Sequence, residues 1–328
     1  MTAFSVLDLS PIVEGGDARR ALQETTAYAR AADRLRFKRF WLAEHHNMPG
    51  IASAATAVVL AHVAAATQTI RVGSGGVMLP NHSPLVIAEQ FGTLAALHPD
   101  RIDLGLGRAP GTDGETARAL RRYFEGADRF PQDVMELQAY LADPAPGQRV
   151  TAWPGAGSKV PIWLLGSSLF SAELAAHLGL PFAFASHFAP ELLLQALQTY
   201  RAGFRPSAAL AEPYTMAAIN VFAAEDDAAA LRLSTSMQQA FAAVVSGAPG
   251  RVKPPVDDIT AVLDARQLAA VRSRLTYAAI GGRETVRAKL ADFVARTGVD
   301  EVMVTGMVFD IDDRIRSLEI TAEAAAGL

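Results

Sequence analysis

The sequence contains no cysteine among its 328 residues. This absence excludes disulfides, thiolate zinc sites, iron–sulfur clusters and a cysteine nucleophile. Neither sign of charge is in marked excess, since the formal net charge at pH 7 is −4. We therefore expect neither a nucleic acid nor an anionic membrane surface as a partner. The chemistry that remains is that of oxygen, nitrogen and a bound cofactor.

Long apolar runs are also absent. No charge-free apolar stretch reaches the roughly 18 residues of a membrane span, so none is expected. The first residues, MTAFSVLD, lack the basic start and the apolar stretch of a signal peptide. These absences predict a soluble, cytoplasmic protein.

Short apolar runs rich in β-forming residues alternate with alanine-rich stretches of helical periodicity along the whole chain. Half of the residues are apolar and a fifth are charged, which suffices for a large core. We count eight strand–helix units, without a shift in composition that marks a domain boundary. The pattern predicts one domain over residues 1–328. It favours an α/β fold of the (β/α)8 TIM-barrel type over an open, doubly wound sheet.

The last two strands are predicted far apart, at Tyr214–Ala223 and Glu301–Val308. Helices are predicted between them at Glu225–Val245, Ile259–Leu275 and Arg283–Thr297. The segment Gly247–Val256 carries proline and glycine, which is typical of a mobile loop. The barrel is thus expected to carry an insertion after strand seven.

Polar residues follow several predicted strands, at the rim where barrel active sites lie. They are Glu44-His45-His46-Asn47 after strand two, Arg108 after strand four, Gly166-Ser167-Ser168 after strand five and Ser186-His187 after strand six. A histidine beside a carboxylate, such as His45 beside Glu44, can act as general base or hydrogen-bond donor. A metal site and a solvated loop are the other interpretations. No metal is expected, because the spacing matches no zinc motif.

Three further features have two interpretations each. Gly75-Gly76 inside a strand indicates either a flat ligand against the backbone or simple barrel packing. Arg108 offers a cation for a phosphate or forms a surface salt bridge. Gly166-Ser167-Ser168 leads into a helix and indicates an anion site or ordinary N-capping. Arg118, near the start of the helix after strand four, is a candidate second phosphate partner.

The ordered motifs Trp41–Asn47, Gly73–Pro84 and Ile102–Arg108 are similar to those of the bacterial luciferase-like flavin monooxygenase family. The match is to its single-chain, group-1 branch. The likeness runs from Phe4 to the last helix and includes Leu165–Ser168.

This resemblance implies a barrel that binds FMN, with reduced FMN supplied by a separate flavin reductase. Dioxygen and a small organic molecule would be the substrates. By position, His45 corresponds to the active-site histidine beside the flavin, and Gly75-Gly76 to a non-prolyl cis peptide under the isoalloxazine. The positions that match the phosphate site are Arg108, Arg118, Ser168 and Ser171, with Gly166 and Ser167 next to them.

The sequence also departs from the luciferases. Gly107 stands where they carry a reactive cysteine, and they need a second, different subunit, so light emission is not implied. Gly247–Val256 lies where the family often has a mobile lid. A deazaflavin-dependent dehydrogenase and a non-catalytic flavin-binding protein are the alternatives. The alanine-rich helix near residues 53–66 could pack closely in a homodimer.

Overall fold

The strands form a parallel sheet that closes on itself. The computed structural model describes residues 2–109, 113–120 and 129–328. The strands are β1 (Ala3–Asp8), β2 (Arg39–Leu42), β3 (Arg71–Met78), β4 (Ile102–Gly107), β5 (Ile162–Gly166), β6 (Phe182–Phe184), β7 (Thr215–Ala223), β8 (Ala278–Gly281) and β9 (Glu301–Thr305). Because β1 pairs with β2 and β9, and β7 pairs with β6 and β9, eight strands close a ring. The predicted (β/α)8 barrel is confirmed.

Helices connect the strands and cover the outside of the barrel. They are α1 (Ala18–Arg34), α2 (Thr56–Ala66), α3 (Pro84–Leu97), α4 (Gly114–Ala119), α5 (Phe130–Leu141), α6 (Leu169–Leu178), α7 (Leu193–Gly203), α8 (Asp227–Val245), α9 (Ala265–Arg274), α10 (Arg283–Thr297) and α11 (Ile311–Ala325). Buried side chains such as Phe40, Phe91 and Leu104 pack in the core between the strands and the helices. Within the described ranges, no helix has both the length and the apolar character that crossing a membrane requires.

The region between β7 and β9 differs from the prediction. Residues Ala278–Gly281 form the strand β8, which pairs with Asn220–Ala223 at the end of β7 and extends the sheet beside the barrel. No strand is predicted there from the sequence, because four residues between two helices are too few for a periodic signal. The predicted eighth barrel strand, β9, ends at Thr305 rather than at Val308.

Capping chemistry sets where the predicted helix at Ile259–Leu275 really begins. The carboxylate of Asp264 accepts a hydrogen bond from the Gln267 amide, and the Gln267 side chain accepts one from the Asp264 amide. This capping box starts α9 at Ala265. The residues before it form only a short 3-10 turn at Ile259–Ala261.

A buried ionic network fills the amino-terminal half of the barrel interior. Arg39 of β2 donates to Glu301 of β9 at 3.0 Å and to Asp103 of β4 at 2.6 Å. Arg71 of β3 donates to the other oxygen of Asp103 at 2.6 Å, and Tyr214 donates to Glu301 at 2.9 Å. Both carboxylates are fully buried. Burial alone would lower the pKa of Arg39, but the charges of Asp103 and Glu301 outweigh it and raise this pKa. The network therefore ties together strands that lie on different sides of the barrel.

An aromatic and apolar layer lies on this network. Trp41 donates its indole N–H to Asp103 at 3.3 Å and meets Trp163 edge to face, with ring centroids 5.2 Å apart. Leu7, Met216 and Met303 belong to the same buried cluster. Of these side chains, Leu7, Trp41, Met216 and Met303 form the floor of the cavity described below.

The segment Gly247–Val256 lies against two loops at the rim. The Val252 amide donates to the Ile12 carbonyl at 3.0 Å, and the Glu14 amide donates to the Val252 carbonyl at 2.8 Å. A Cβ on Gly50 would overlap the carbonyl of Gly250, so the two backbones are in close contact. The predicted lid thus sits over the rim through backbone contacts, and its mobility stays a prediction.

We expect Asp103→Asn to destabilise the protein by about 3–5 kcal/mol, because it leaves two buried arginines without their compensating charge. Urea unfolding at neutral pH measures this loss. Asp143→Asn is the matched control, since Asp143 forms an exposed ion pair with Lys159, and we expect it to cost less than about 1 kcal/mol. Equal losses in the two variants would contradict a stabilising role for the network.

We expect Gly50→Ala to displace the segment Gly247–Val256, because the added methyl group overlaps the Gly250 carbonyl. Limited proteolysis should then cut inside this segment faster than in the wild type. Gly250→Ala is the control, since its Cβ would meet open space, and it should not accelerate cleavage. Identical cleavage rates in both variants would mean that this contact does not hold the segment.

Candidate active site

A cavity of about 490 Å³ opens at the carboxyl ends of the barrel strands. This is the rim where (β/α)8 barrels carry their active sites. Most predicted site residues line the cavity, namely His45, Gly75, Gly76, Arg108, Gly166, Ser167, Ser168 and Ser171. Glu44 and Arg118 are outside its wall. Arg118 is exposed on α4.

Two adjacent glycines form part of the cavity wall. The peptide bond between Gly75 and Gly76 is cis, as the resemblance implies for these positions. A Cβ on Gly76 would come within 2.7 Å of the Gly105 carbonyl, and one on Gly75 within 2.8 Å of the Leu7 side chain. No side chain fits at either position without a shift of its neighbours, so the wall here is bare backbone. A flat ligand can approach such a wall closely.

A cationic cradle lies at the start of α6. Ser168 is the N-cap residue of this helix, yet its side chain makes no capping hydrogen bond. The first-turn amides therefore keep their donor capacity for an anion. The guanidinium of Arg108 lies over the Phe170 ring at 4.1 Å and forms no ion pair with a residue that the structure describes. These groups fit a phosphate, whereas neither a capping hydrogen bond from Ser168 nor a salt bridge of Arg108 is present among the described residues.

Glu44 lies behind the cavity wall, where it is almost fully buried. Its Oε1 is 2.8 Å from the Nε2 atoms of both His46 and His82, and its Oε2 accepts from the Met78 amide at 3.2 Å. Burial would raise the pKa of Glu44, but the interactions with His82 and His46 outweigh it and hold the pKa below its ordinary value. The carboxylate therefore ties the turn that carries His45 to the end of β3.

Glu44, His46 and His82 together have the composition of a metal site. Their ligand atoms lie within 4.8 Å of one another, so an ion could be held between them. The two 2.8 Å distances to Glu44 are, however, those of hydrogen bonds, and these account for the cluster. The absence of a metal from this site stays a prediction.

Two histidines face the cavity, His45 and His187. Burial and the nearby charge of His45 lower the pKa of His187 to about 3. Nδ1 of His187 is buried and has no hydrogen-bond partner among the described residues. His187 is therefore a neutral imidazole at physiological pH.

The insertion after β7 supplies a part of the cavity wall that is not predicted from the sequence. Met237 and Phe241 of α8, Val252 of the lid segment and Arg274 at the end of α9 all line the cavity. The helical pattern of α8 is visible in the sequence, but nothing in it shows which face covers the barrel. Only the packing of α8 on β7 and β8 places these side chains.

We expect His187→Gln to make the protein less sensitive to acid. The pKa of His187 is lowered in the folded state, so below about pH 6.5 the unfolded chain binds more protons and stability falls as pH falls toward 3. Between about pH 7 and pH 5, urea unfolding should show the variant losing about 1–2 kcal/mol less than the wild type.

His62→Gln is the control for this experiment, since His62 is exposed on α2. Between the two pH values, the His62→Gln variant should lose as much free energy of unfolding as the wild type does. An unchanged pH dependence in the His187 variant would show that this imidazole titrates normally.

Known proteins share both the sequence and the fold. A profile of luciferase-like monooxygenases matches residues 2–301. A protein of Escherichia coli (strain K12) named luciferase-like monooxygenase is 52% identical over 322 residues, which cover 98% of this chain and 96% of that protein. The crystal structure of apo-MsnO8 is 36% identical, with a TM-score of 0.87 over 99% of this chain and 98% of that one.

A more distant structure shares the fold alone. It is the oxygenating constituent of 3,6-diketocamphane monooxygenase from Pseudomonas putida in complex with FMN, at 16% identity and a TM-score of 0.75. It covers all of this chain, and this chain covers 98% of it. The profile match and the 52% identity to the Escherichia coli protein decide the assignment. The chain belongs to the luciferase-like monooxygenase family.

Proposed function

We propose that this protein is an FMN-dependent monooxygenase that uses reduced flavin and dioxygen to oxidise a small organic substrate. The cradle formed by Arg108 and the start of α6, next to the bare wall at Gly75-Gly76, carries the proposal. It offers a phosphate site and a flat backbone surface in one cavity. A separate flavin reductase as electron donor and a cytoplasmic location belong to the same proposal.

The residues present fit FMN by their chemistry. Arg108, Ser168 and Ser171 would hold the phosphate, with Gly166 and Ser167 completing the turn into α6, and Gly75-Gly76 would support the ring system. When bound and reduced, FMN would supply the electrons that dioxygen requires. Arg118 as a second phosphate partner stays a prediction, since it is exposed on α4 and outside the cavity wall.

The protein's own groups would handle protons and water. His45 faces the cavity and can hold or deliver a proton at a ring nitrogen. Glu44 does not reach the cavity, so its role is to position His45 through the bonds to His46, His82 and the Met78 amide. The apolar floor around Trp41 and Met216 excludes water from the reacting centre.

We expect the wild type to bind FMN and Arg108→Gln to bind it at least about tenfold more weakly, because a charge-assisted contact to the phosphate is lost. Flavin fluorescence quenching or calorimetry measures this affinity. Arg205→Gln is the matched control, since Arg205 is exposed after α7. A wild-type protein without affinity for FMN would refute the proposal.

Oxygen uptake separates the proposal from its alternatives. With reduced FMN and a substrate panel, we expect substrate-dependent oxygen consumption that His45→Ala lowers by about 10²-fold or more. Tight flavin binding without such consumption would favour a flavin-binding protein. Hydride transfer with a deazaflavin and no oxygen use would favour the dehydrogenase. Unchanged turnover in His45→Ala would remove the role given to this histidine.

A further inference from the structure

The charged groups on the cavity wall are of one sign. Among the described residues that line the cavity, Arg108 and Arg274 are the only arginines or lysines, and no aspartate or glutamate is present. A buried or half-buried guanidinium without a counter-charge favours an anionic ligand. FMN carries one phosphate, and the proposed cradle at α6 uses Arg108 for it. Arg274 is then left without a partner in the proposed function.

Arg274 belongs to a different wall from the phosphate cradle. Arg108 and Ser168 follow β4 and β5, whereas Arg274 ends α9, in the insertion after β7. The strand β6 lies between β5 and β7 in the barrel. The insertion wall, defined here as Met237, Phe241, Val252 and Arg274, therefore brings its own cation to the cavity.

The guanidinium of Arg274 has an aromatic neighbour but no ion-pair partner among the described residues. It lies 6.0 Å from the centre of the Phe241 ring, and no described carboxylate forms an ion pair with it. The residue is half-buried, so its charge is only partly solvated. Arginine in such a place offers a planar fork of N–H donors that matches a carboxylate.

Most of the other residues that line the cavity are apolar. Six of the eight methionines in the sequence line it, and these are Met48, Met78, Met216, Met237, Met303 and Met307. Methionine side chains are flexible and polarisable, so they accommodate apolar ligands of varied shape. A ligand that reaches Arg274 must therefore place an apolar body against this lining.

We propose that Arg274 forms a second anion subsite, which binds the carboxylate of a small organic acid while its apolar body lies on the methionine lining. This proposal rests on the proposed function, because it assigns the substrate class of the same cavity. The substrate would be held at the insertion wall, which is a different part of the cavity wall from the groups that would bind FMN. Binding of the carboxylate would orient the substrate, so that the carbon or heteroatom to be oxidised has a fixed position.

The test uses three probes of equal chain length, octanoate, 1-octanol and octylamine, with the full-length protein with and without FMN. Calorimetry should show that octanoate binds more tightly than the other two. Arg274→Gln should weaken octanoate binding by about tenfold or more, with 1-octanol unchanged. Arg272→Gln is the matched control, since Arg272 lies on the same helix but is exposed and outside the cavity wall.

Each other outcome has a defined meaning. If octanoate does not bind, binds no better than 1-octanol, or binds Arg274→Gln as tightly as the wild type, the subsite does not exist. If Arg274→Gln instead weakens the binding of FMN, the arginine belongs to the flavin site and the proposal is wrong. If the wild type binds octanoate through Arg274 but does not bind FMN, the proposed function fails and the subsite stands.

Discussion

The buried network around Arg39 is the constraint on which the rest of the structure depends. It joins Glu301 on β9 to Asp103 on β4, and Asp103 in turn joins Arg71 on β3. A buried pair whose charges are all compensated is tolerated, but a single unpaired charge in the same place is costly. The strands that close the barrel must therefore meet in one register. Because Trp41 donates to Asp103, the same register fixes the layer that forms the cavity floor.

The cavity of the candidate active site lies on that floor and has two walls that differ in chemistry. The wall from β2 to β5 presents bare backbone, a helix start and Arg108, which suit a flat cofactor with a phosphate. The insertion wall presents Met237, Phe241, Val252 and Arg274, which suit an apolar molecule with an acidic end. His45 and His187 lie on the same cavity. In the proposed function, the walls bind the ligands and His45 handles protons.

Much of the fold could be predicted because its signals are local. The alternation of apolar strands and amphipathic helices indicated the barrel, and motifs such as Trp41–Asn47 and Gly73–Pro84 indicated the family. The family resemblance implied the cis peptide between Gly75 and Gly76, and eight of the ten predicted site residues line the cavity. The strand β8 was missed because four residues carry no periodic signal. Adjacency in sequence did not show that His45 lines the cavity whereas Glu44 is buried outside its wall, so the catalytic role of Glu44 stays a prediction.

The sequence by itself thus determined the class of fold, the family and the absence of thiol chemistry, since these follow from composition and from ordered motifs. Tertiary structure alone decided which rim residues share a cavity. Arg118 lies outside it, Glu44 lies behind it, and Arg274 lies inside it although more than 160 residues separate it from Arg108. The physical reason is that side-chain direction and the packing of the insertion on the barrel are long-range properties, which no local pattern of residues encodes.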